Sequence, residues 1–441
     1  MNKVFYFLFA GLLAAQILLS ERPTEISFPL LFHVGMLGAF LLFGFLTIML
    51  NAGHRQRDTL TYVVLAFLAY FFTIGVIISL LSIDRARSGM LLAIIEYPYR
   101  ISNLLMVLVI PWFIRKEKQL SKLFALMLIM IGLQIIRDMV VGSAGDSESL
   151  LLERLWGPEF SSAMFLAALP FAFGGMIVYW GTPRHRILTR AALLIFWAIV
   201  LLKLFLTYSR VVWILLVPLD IFAVIYFLRR KSFQKGHSRE KGRKLARLIF
   251  ALAGAGVIMM TLLIAFNPQV LKVVAEREQK TAMMAGARWA EYQNAAQEWL
   301  TSPVWGKGFG YETRFYKAGK VRSQEYVHNF ILQFLMSSGI VGLALILTLL
   351  GTSFWQMGKL LKKAQSRLQT GILLACLLTL VNIVLLCLFH TLLLKQDTYF
   401  LLAIVISIAI IIRRLQEQER VSPARHSWPS LTPGLVSRAG R

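Results

Sequence analysis

The sequence predicts an all-α polytopic membrane protein of about twelve transmembrane helices, with one large loop that itself contains helices. Three observations predict it. The 441 residues are 57% hydrophobic with 31 Phe and a mean hydropathy of +0.66, far more apolar than a soluble domain of that length. Apolar segments of about 15 to 25 residues recur along the chain, the length that crosses roughly 30 Å of hydrocarbon as a helix. The polar connections between them alternate in charge, as the positive-inside rule requires.

Taken in order, the apolar segments run over about 4–20, 28–50, 59–83, 98–114, 119–141, 159–180, 191–208, 211–228, 248–266, 329–352, 371–394 and 398–412. Lys3 and the first apolar run are read as an uncleaved first helix, because no small-x-small site precedes Glu21. With the N-terminus inside, Arg55/Arg57, the Arg115–Lys118 run, Arg184/Arg186/Arg190, the 229–247 loop, the 359–367 loop and the tail share one side. That side holds 29 Lys and Arg against 5 Asp and Glu, whereas the other holds 17 against 16. The chain therefore divides into helices 1–9 over 1–266, a large outer-face loop over 267–328, helices 10–12 over 329–412 and a cytoplasmic tail over 413–441.

This asymmetry also accounts for the formal net charge of +25. Basic loops lie against anionic lipid headgroups. Nucleic acid is not an implied partner, since no basic stripe interleaves with exposed aromatics. Cys376 and Cys387 lie eleven residues apart in one helix, about 16 Å along its axis, and cannot bond to each other.

Most outer connections are short, but 267–328 is about sixty residues, a length that is usually functional or carries its own structure. Two helices are expected in it, Pro268 to about Lys280 and Ala285 to Leu300, the second ending at Thr301-Ser302-Pro303. On the second, Arg288 and Tyr292 share a face, with Glu291 and Glu298 elsewhere around it. The turn Trp305-Gly306-Lys307-Gly308-Phe309-Gly310 follows. Its glycines could bring backbone close to a phosphate, but no strand precedes it and no helix directly follows, so a glycine turn packed at the membrane surface is the favoured reading.

Topology sorts the seven histidines. His54, His185, His237 and His426 fall on the basic side, and His33 and His390 within helices. His328 alone stands at an aqueous boundary beside the long loop. An interfacial histidine is commonly a helix-end polar residue, yet imidazole is also the natural general base near neutral pH. No two histidines stand at metal-ligand spacing, so a zinc site is not expected. Lys203, Thr207 and Arg210 recur at i, i+4, i+7, and Arg210 sits in a short outer hairpin, Ser209-Arg210. Lys203 either pairs with Asp220 on the next helix or joins Arg210 in a cationic lane for an anionic lipid headgroup. Arg85, Arg87, Arg100, Arg137 and Arg154 add forked donors that match phosphate oxygens on the same face.

From Arg288 to Leu343 the sequence resembles the O-antigen ligase and O-antigen polymerase superfamily of the bacterial inner membrane. The resemblance rests on Arg288, on Ser302-Pro303 followed by W-G-K-G-F-G, on His328-Asn329-x-x-x-Gln333, on Gly339-Ile340-x-Gly342-Leu343 and on the Ser209-Arg210 hairpin. Ser337-Ser338 depart from the pattern, where the family often has an acidic residue. The resemblance implies a donor glycan on undecaprenyl pyrophosphate and an acceptor hydroxyl, on lipid A–core in a ligase or on another lipid-linked glycan in a polymerase. It implies transfer at the periplasmic face without ATP or metal, His328 as base, Arg210 and Arg288 meeting the pyrophosphate, and Lys203, Tyr292, Asn329 and Gln333 contacting substrate. A lipid-linked glycan transporter or flippase using Lys203, Asp220 and the outer arginines is the alternative from another class, although no two-fold repeat is evident.

Overall fold

The computed structural model describes residues 2–18, 28–50, 58–81, 98, 100–143, 163–180, 186–206, 217–229, 251, 254, 288–309, 311, 313–317, 320–324, 327–388 and 396–421. Helix dominates. In chain order the helices are α1 (Asn2–Leu18), α2 (Phe28–Leu50), α3 (Thr59–Tyr70), α4 (Val76–Leu81), α5 (Met106–Phe113), α6 (Glu117–Ser143), α7 (Ala163–Tyr179), α8 (Arg186–Leu206) and α9 (Val217–Arg229). After them come α10 (residues 288–300), α11 (Phe330–Lys363), α12 (Arg367–Cys387) and α13 (Gln396–Val421).

Among the described residues, five helices are long and apolar enough to cross a membrane: 59–80, where α3 and α4 join, and most or all of α6, α11, α12 and α13. The chain is a multi-pass membrane protein. The expected ninth span, 248–266, lies outside the described residues apart from 251 and 254, as does the expected loop helix at 268–280.

One element departs from the all-helical expectation. Thr313–Lys317 (β1) and Lys320–Gln324 (β2) pair antiparallel, Thr313 opposite Gln324 and Lys317 opposite Lys320. Both strands carry aromatic or β-branched residues and are separated by Ala318-Gly319, a two-residue spacing that suits a hairpin.

Helices that are apolar all round need close backbone approach rather than a hydrophobic stripe in order to associate. The α7–α12 contact achieves this with Gly174 and Gly371. A Cβ on Gly174 would stand 2.8 Å from the Gly371 carbonyl oxygen, and one on Gly371 would stand 3.0 Å from that of Gly174. Phe5, Phe9, Phe40 and Phe113 form a buried aromatic cluster between α1, α2 and α5.

Polar contacts join several helix ends at one end of the bundle. At one end Asp58 caps α3 and meets Arg413 at 3.3 Å. The Glu117 carboxylate there accepts from Ser366 at 2.8 Å and from Gln369 at 3.0 Å. These residues come from loops that the sequence assigns to one side. Such partners also carry α13 past the apolar run ending near 412, because Arg413 pairs with Glu417 one turn on, and Arg414 donates to the Pro111 carbonyl.

Candidate functional site

The opposite end of the bundle is built on a helix break. Gly339 has φ 64° and ψ −167° inside α11, a conformation open essentially to glycine alone. The break leaves the carbonyls of Met336 and Ser337 without helical donors, and the glycine turn supplies them. The Lys307 amide donates to the Met336 carbonyl at 2.7 Å, and the Gly308 amide to that of Ser337 at 3.0 Å. In return the Ile340 amide donates to the Pro303 carbonyl at 3.0 Å. The approach is so close that a Cβ on Gly306 would stand 2.6 Å from the Ser338 and Gly339 nitrogens.

The turn also grips α3–α4. The Phe309 amide donates to the Ser79 hydroxyl at 2.8 Å, and Tyr70 donates its hydroxyl to the Ser338 carbonyl at 2.8 Å. Between α3 and α4 the chain forms a π-turn over Phe71–Gly75, and Phe71 packs on both Phe309 and Phe334. The Gly306 amide is likewise spent, on the Ser302 carbonyl at 2.9 Å. With the amides of residues 306 to 309 all committed to the protein, the turn has a structural task. Its lysine is engaged as well, lying 4.0 Å from Glu298 and over the Tyr311 ring.

Held by this turn, α10 lies against the start of α11. Ala295 on α10 packs with Val327 and Met336, and the neighbouring Tyr292 and Glu291 reach His328. Glu291 is buried and accepts from both the His328 backbone amide and its imidazole, Nδ1 lying 3.1 Å from each carboxylate oxygen. Tyr292 donates its hydroxyl to the His328 carbonyl at 3.0 Å. Burial raises the Tyr292 phenol above its ordinary range; nearby Arg288 draws it down and Glu291 pushes it up. The phenol therefore stays a donor at neutral pH.

This geometry fixes the imidazole. A carboxylate only accepts, so Nδ1 carries a proton toward it, and in the neutral ring the lone pair then sits on Nε2. The His328 side chain is 30% exposed while that of Glu291 is 4% exposed, so the ring is reachable and its partner is not. Sequence reasoning assigned no part to Glu291. The signal was the i, i+3 step from Arg288, which puts the two on adjoining sides of one helix, but linking Glu291 to His328 needs the tertiary fold.

The other expected residues are placed as follows. Arg288 is half-buried at the start of α10, one turn before Tyr292. Asn329 caps α11, its side-chain oxygen accepting from Ile331 at 3.0 Å and Leu332 at 3.2 Å, while its amide donates to the Leu388 carbonyl at 3.2 Å. Buried Gln333 accepts from the Val327 amide at 2.6 Å. Lys203 is half-buried near the end of α8. Asp220, weighed as its partner, instead meets Asn382 of α12 at 3.0 Å, because α9 turns the carboxyl toward that helix. Arg210, Thr207, Arg85, Arg87 and Arg154 lie outside the described residues. Among the described residues no cluster of three or more His, Cys, Asp or Glu could hold a metal ion.

Residues 193–347 match the family model described as O-antigen ligase, a match that supports the O-antigen ligase superfamily. The match spans most of α8, then α9, α10, the hairpin and the break in α11, and so contains each of the seven expected site residues. A search of the curated proteins finds none that matches the chain.

Proposed function

Because residues 193–347 carry an O-antigen ligase family domain, we propose that the protein is a glycosyltransferase of the bacterial inner membrane. It moves a glycan from undecaprenyl pyrophosphate to a sugar hydroxyl of lipid A–core at the periplasmic face. The observation that carries this reading is the Glu291–His328 pair at the exposed end of a membrane helix.

In the proposed step, His328 Nε2 takes the proton of the acceptor hydroxyl as that oxygen attacks the anomeric carbon of the donor. The bond from the anomeric carbon to the pyrophosphate oxygen breaks, and its electron pair leaves with undecaprenyl pyrophosphate. Pyrophosphate is a good leaving group, so the step needs no carboxylic acid to protonate it, unlike glycoside hydrolysis. It does need cations for the developing charge, the role given to Arg288 and Arg210. Glu291 holds the ring by Nδ1–H and offsets the positive charge that His328 gains, which then returns its proton to water. Lys203 extends the cationic lane toward the lipid headgroup. Tyr292, Asn329 and Gln333 shape the acceptor side.

The test mixes purified protein with lipid-linked glycan and lipid A–core in EDTA. Transfer of glycan to the core is expected, and His328→Ala should abolish it while the protein still inserts. Normal ligation by that variant would overturn the assignment. Joining one lipid-linked glycan to another, with no transfer to the core, would replace the ligase reading by a polymerase.

A further inference from the structure

A second polar group lies inside the bundle. Asp220 of α9 is fully buried, and among the described residues the one polar group meeting its carboxyl is the Asn382 amide, 3.0 Å from Oδ2. The same amide donates to the Leu166 carbonyl of α7 at 3.2 Å. That carbonyl needs an outside donor because Pro170, four residues on, has no N–H to return to it. Asn382 thus spends both amide hydrogens joining three helices.

The accounting leaves three oxygens over. Asp220 Oδ1, Asn382 Oδ1 and Thr379 Oγ are buried and, among the described residues, have no hydrogen-bond partner. Thr379 and Asn382 sit three residues apart on α12 and so share a face. The unspent Thr379 hydroxyl is unusual for this protein, since Ser338, Thr348, Ser353 and Ser407 each return theirs to the carbonyl four residues back. An unpaired carboxylate at this depth is costly, and the surplus consists entirely of oxygen.

We propose that Asp220, Asn382 and Thr379 form an intramembrane site for one alkali cation. One carboxylate balances one positive charge, and hard carboxylate, carbonyl and hydroxyl oxygens are the ligands such a cation takes. The site lies beneath the His328 group. Asn382 is six residues, about 9 Å of helix rise, before Leu388, whose carbonyl holds the Asn329 amide. The bound cation ties α7, α9 and α12 together under the outer site, and the inference stands independently of the reaction proposed above.

The test is thermal unfolding of the purified full chain in detergent, titrated with NaCl or KCl against N-methylglucamine chloride at equal ionic strength. A saturable rise of several degrees with either alkali salt over the organic cation is expected. Asp220→Asn should abolish the rise, and Thr379→Val should shift its midpoint several-fold to higher salt. Equal stability in all three salts overturns the site, as does a full alkali effect in Asp220→Asn. Should Asp220→Asn fail to fold, Thr379→Val decides: a shifted midpoint supports the site and an unchanged one overturns it.

Discussion

Replacing Glu291 by Gln tests the proposed base directly, because the substitution keeps shape and removes charge. In the native protein the carboxylate stands 3.1 Å from His328 Nδ1 on both oxygens and also takes the His328 backbone amide. A glutamine can accept through one oxygen only, and turns an N–H toward whichever donor is left. At 3.1 Å and an effective dielectric of about 20, a unit charge on the carboxylate and one on an imidazolium attract by about 5 kcal/mol, an upper bound for a pair open to solvent on one side. Charge-assisted hydrogen bonds measured by mutation contribute about 1.5–3 kcal/mol. At 1.36 kcal/mol per decade, kcat should fall by about one to two orders of magnitude. The assay is the initial rate of glycan transfer at saturating donor and acceptor, with KM measured alongside and folding checked by thermal unfolding. Most of the loss should fall on kcat, because the imidazolium charge develops only as the proton moves. Glu291→Asp, which keeps the charge on a shorter arm, should lie between. A folded Glu291→Gln protein within about twofold of the wild-type kcat would refute the assignment of Nδ1 to the carboxylate and with it the claim that Nε2 is the base.

Substitutions at four further positions probe the frame of the site. Gly339→Ala should destabilise the protein by about 1–3 kcal/mol or more, read as a fall in the unfolding midpoint, because the backbone there suits only glycine and a Cβ would stand 2.1 Å from the Val304 carbonyl oxygen. Ser79→Ala leaves the buried Phe309 amide without its acceptor; a cost of about 1–3 kcal/mol and faster hydrogen exchange at that amide are expected. Asn329→Ala should cost about 1 kcal/mol as a lost helix cap, and Asn329→Ser should restore stability. If Asn329→Ser regains stability but not transfer, the side chain contacts substrate as well as capping the helix. The Tyr292 phenol adds a pH signature: its pKa is raised above 10.0 in the folded protein, so its contribution is full below pH 10.0 and lost as pH rises through the folded value. Tyr292→Phe should flatten that alkaline limb of the stability curve.

The apolar rhythm of the chain made the membrane helices legible, because length and composition alone decide whether a helix can span hydrocarbon. The loop charges sorted the ends, and the structure joins ends of like assignment, Asp58 to Arg413 and Glu117 to Ser366. The hairpin at 313–324 is written locally too, in a two-residue spacing containing glycine between segments with aromatic and β-branched residues. Glu291 was not legible in this way. Thirty-seven residues separate it from His328, and its direction is set by α10 packing Ala295 on Val327 and Met336, a contact with no sequence period. Asp220 was visible as an ionisable residue in a span, but its partner came from α12, after the large loop.

The glycine turn shows why a motif must be read with its donors counted. Three glycines within five residues invite a phosphate, which would be cradled by backbone amides. Here those amides go to Ser302, Met336, Ser337 and Ser79. The backbone is consumed in closing a break in α11, so any anionic group bound nearby must be met by side chains. The proposed pyrophosphate contact accordingly rests on side chains outside the turn, for which arginine's forked donors suit phosphate oxygens. It also ties the position of His328 to the break. Residues 330–338 form the short first segment of α11 between the Asn329 cap and Gly339, and the turn holds that segment in place from Pro303 to Phe309. Loosening the turn at Ser79 should therefore lower transfer as well as stability, although Ser79 bonds to neither His328 nor Glu291. A Ser79→Ala protein that loses stability while keeping full kcat would show that the first segment of α11 holds its position without the turn.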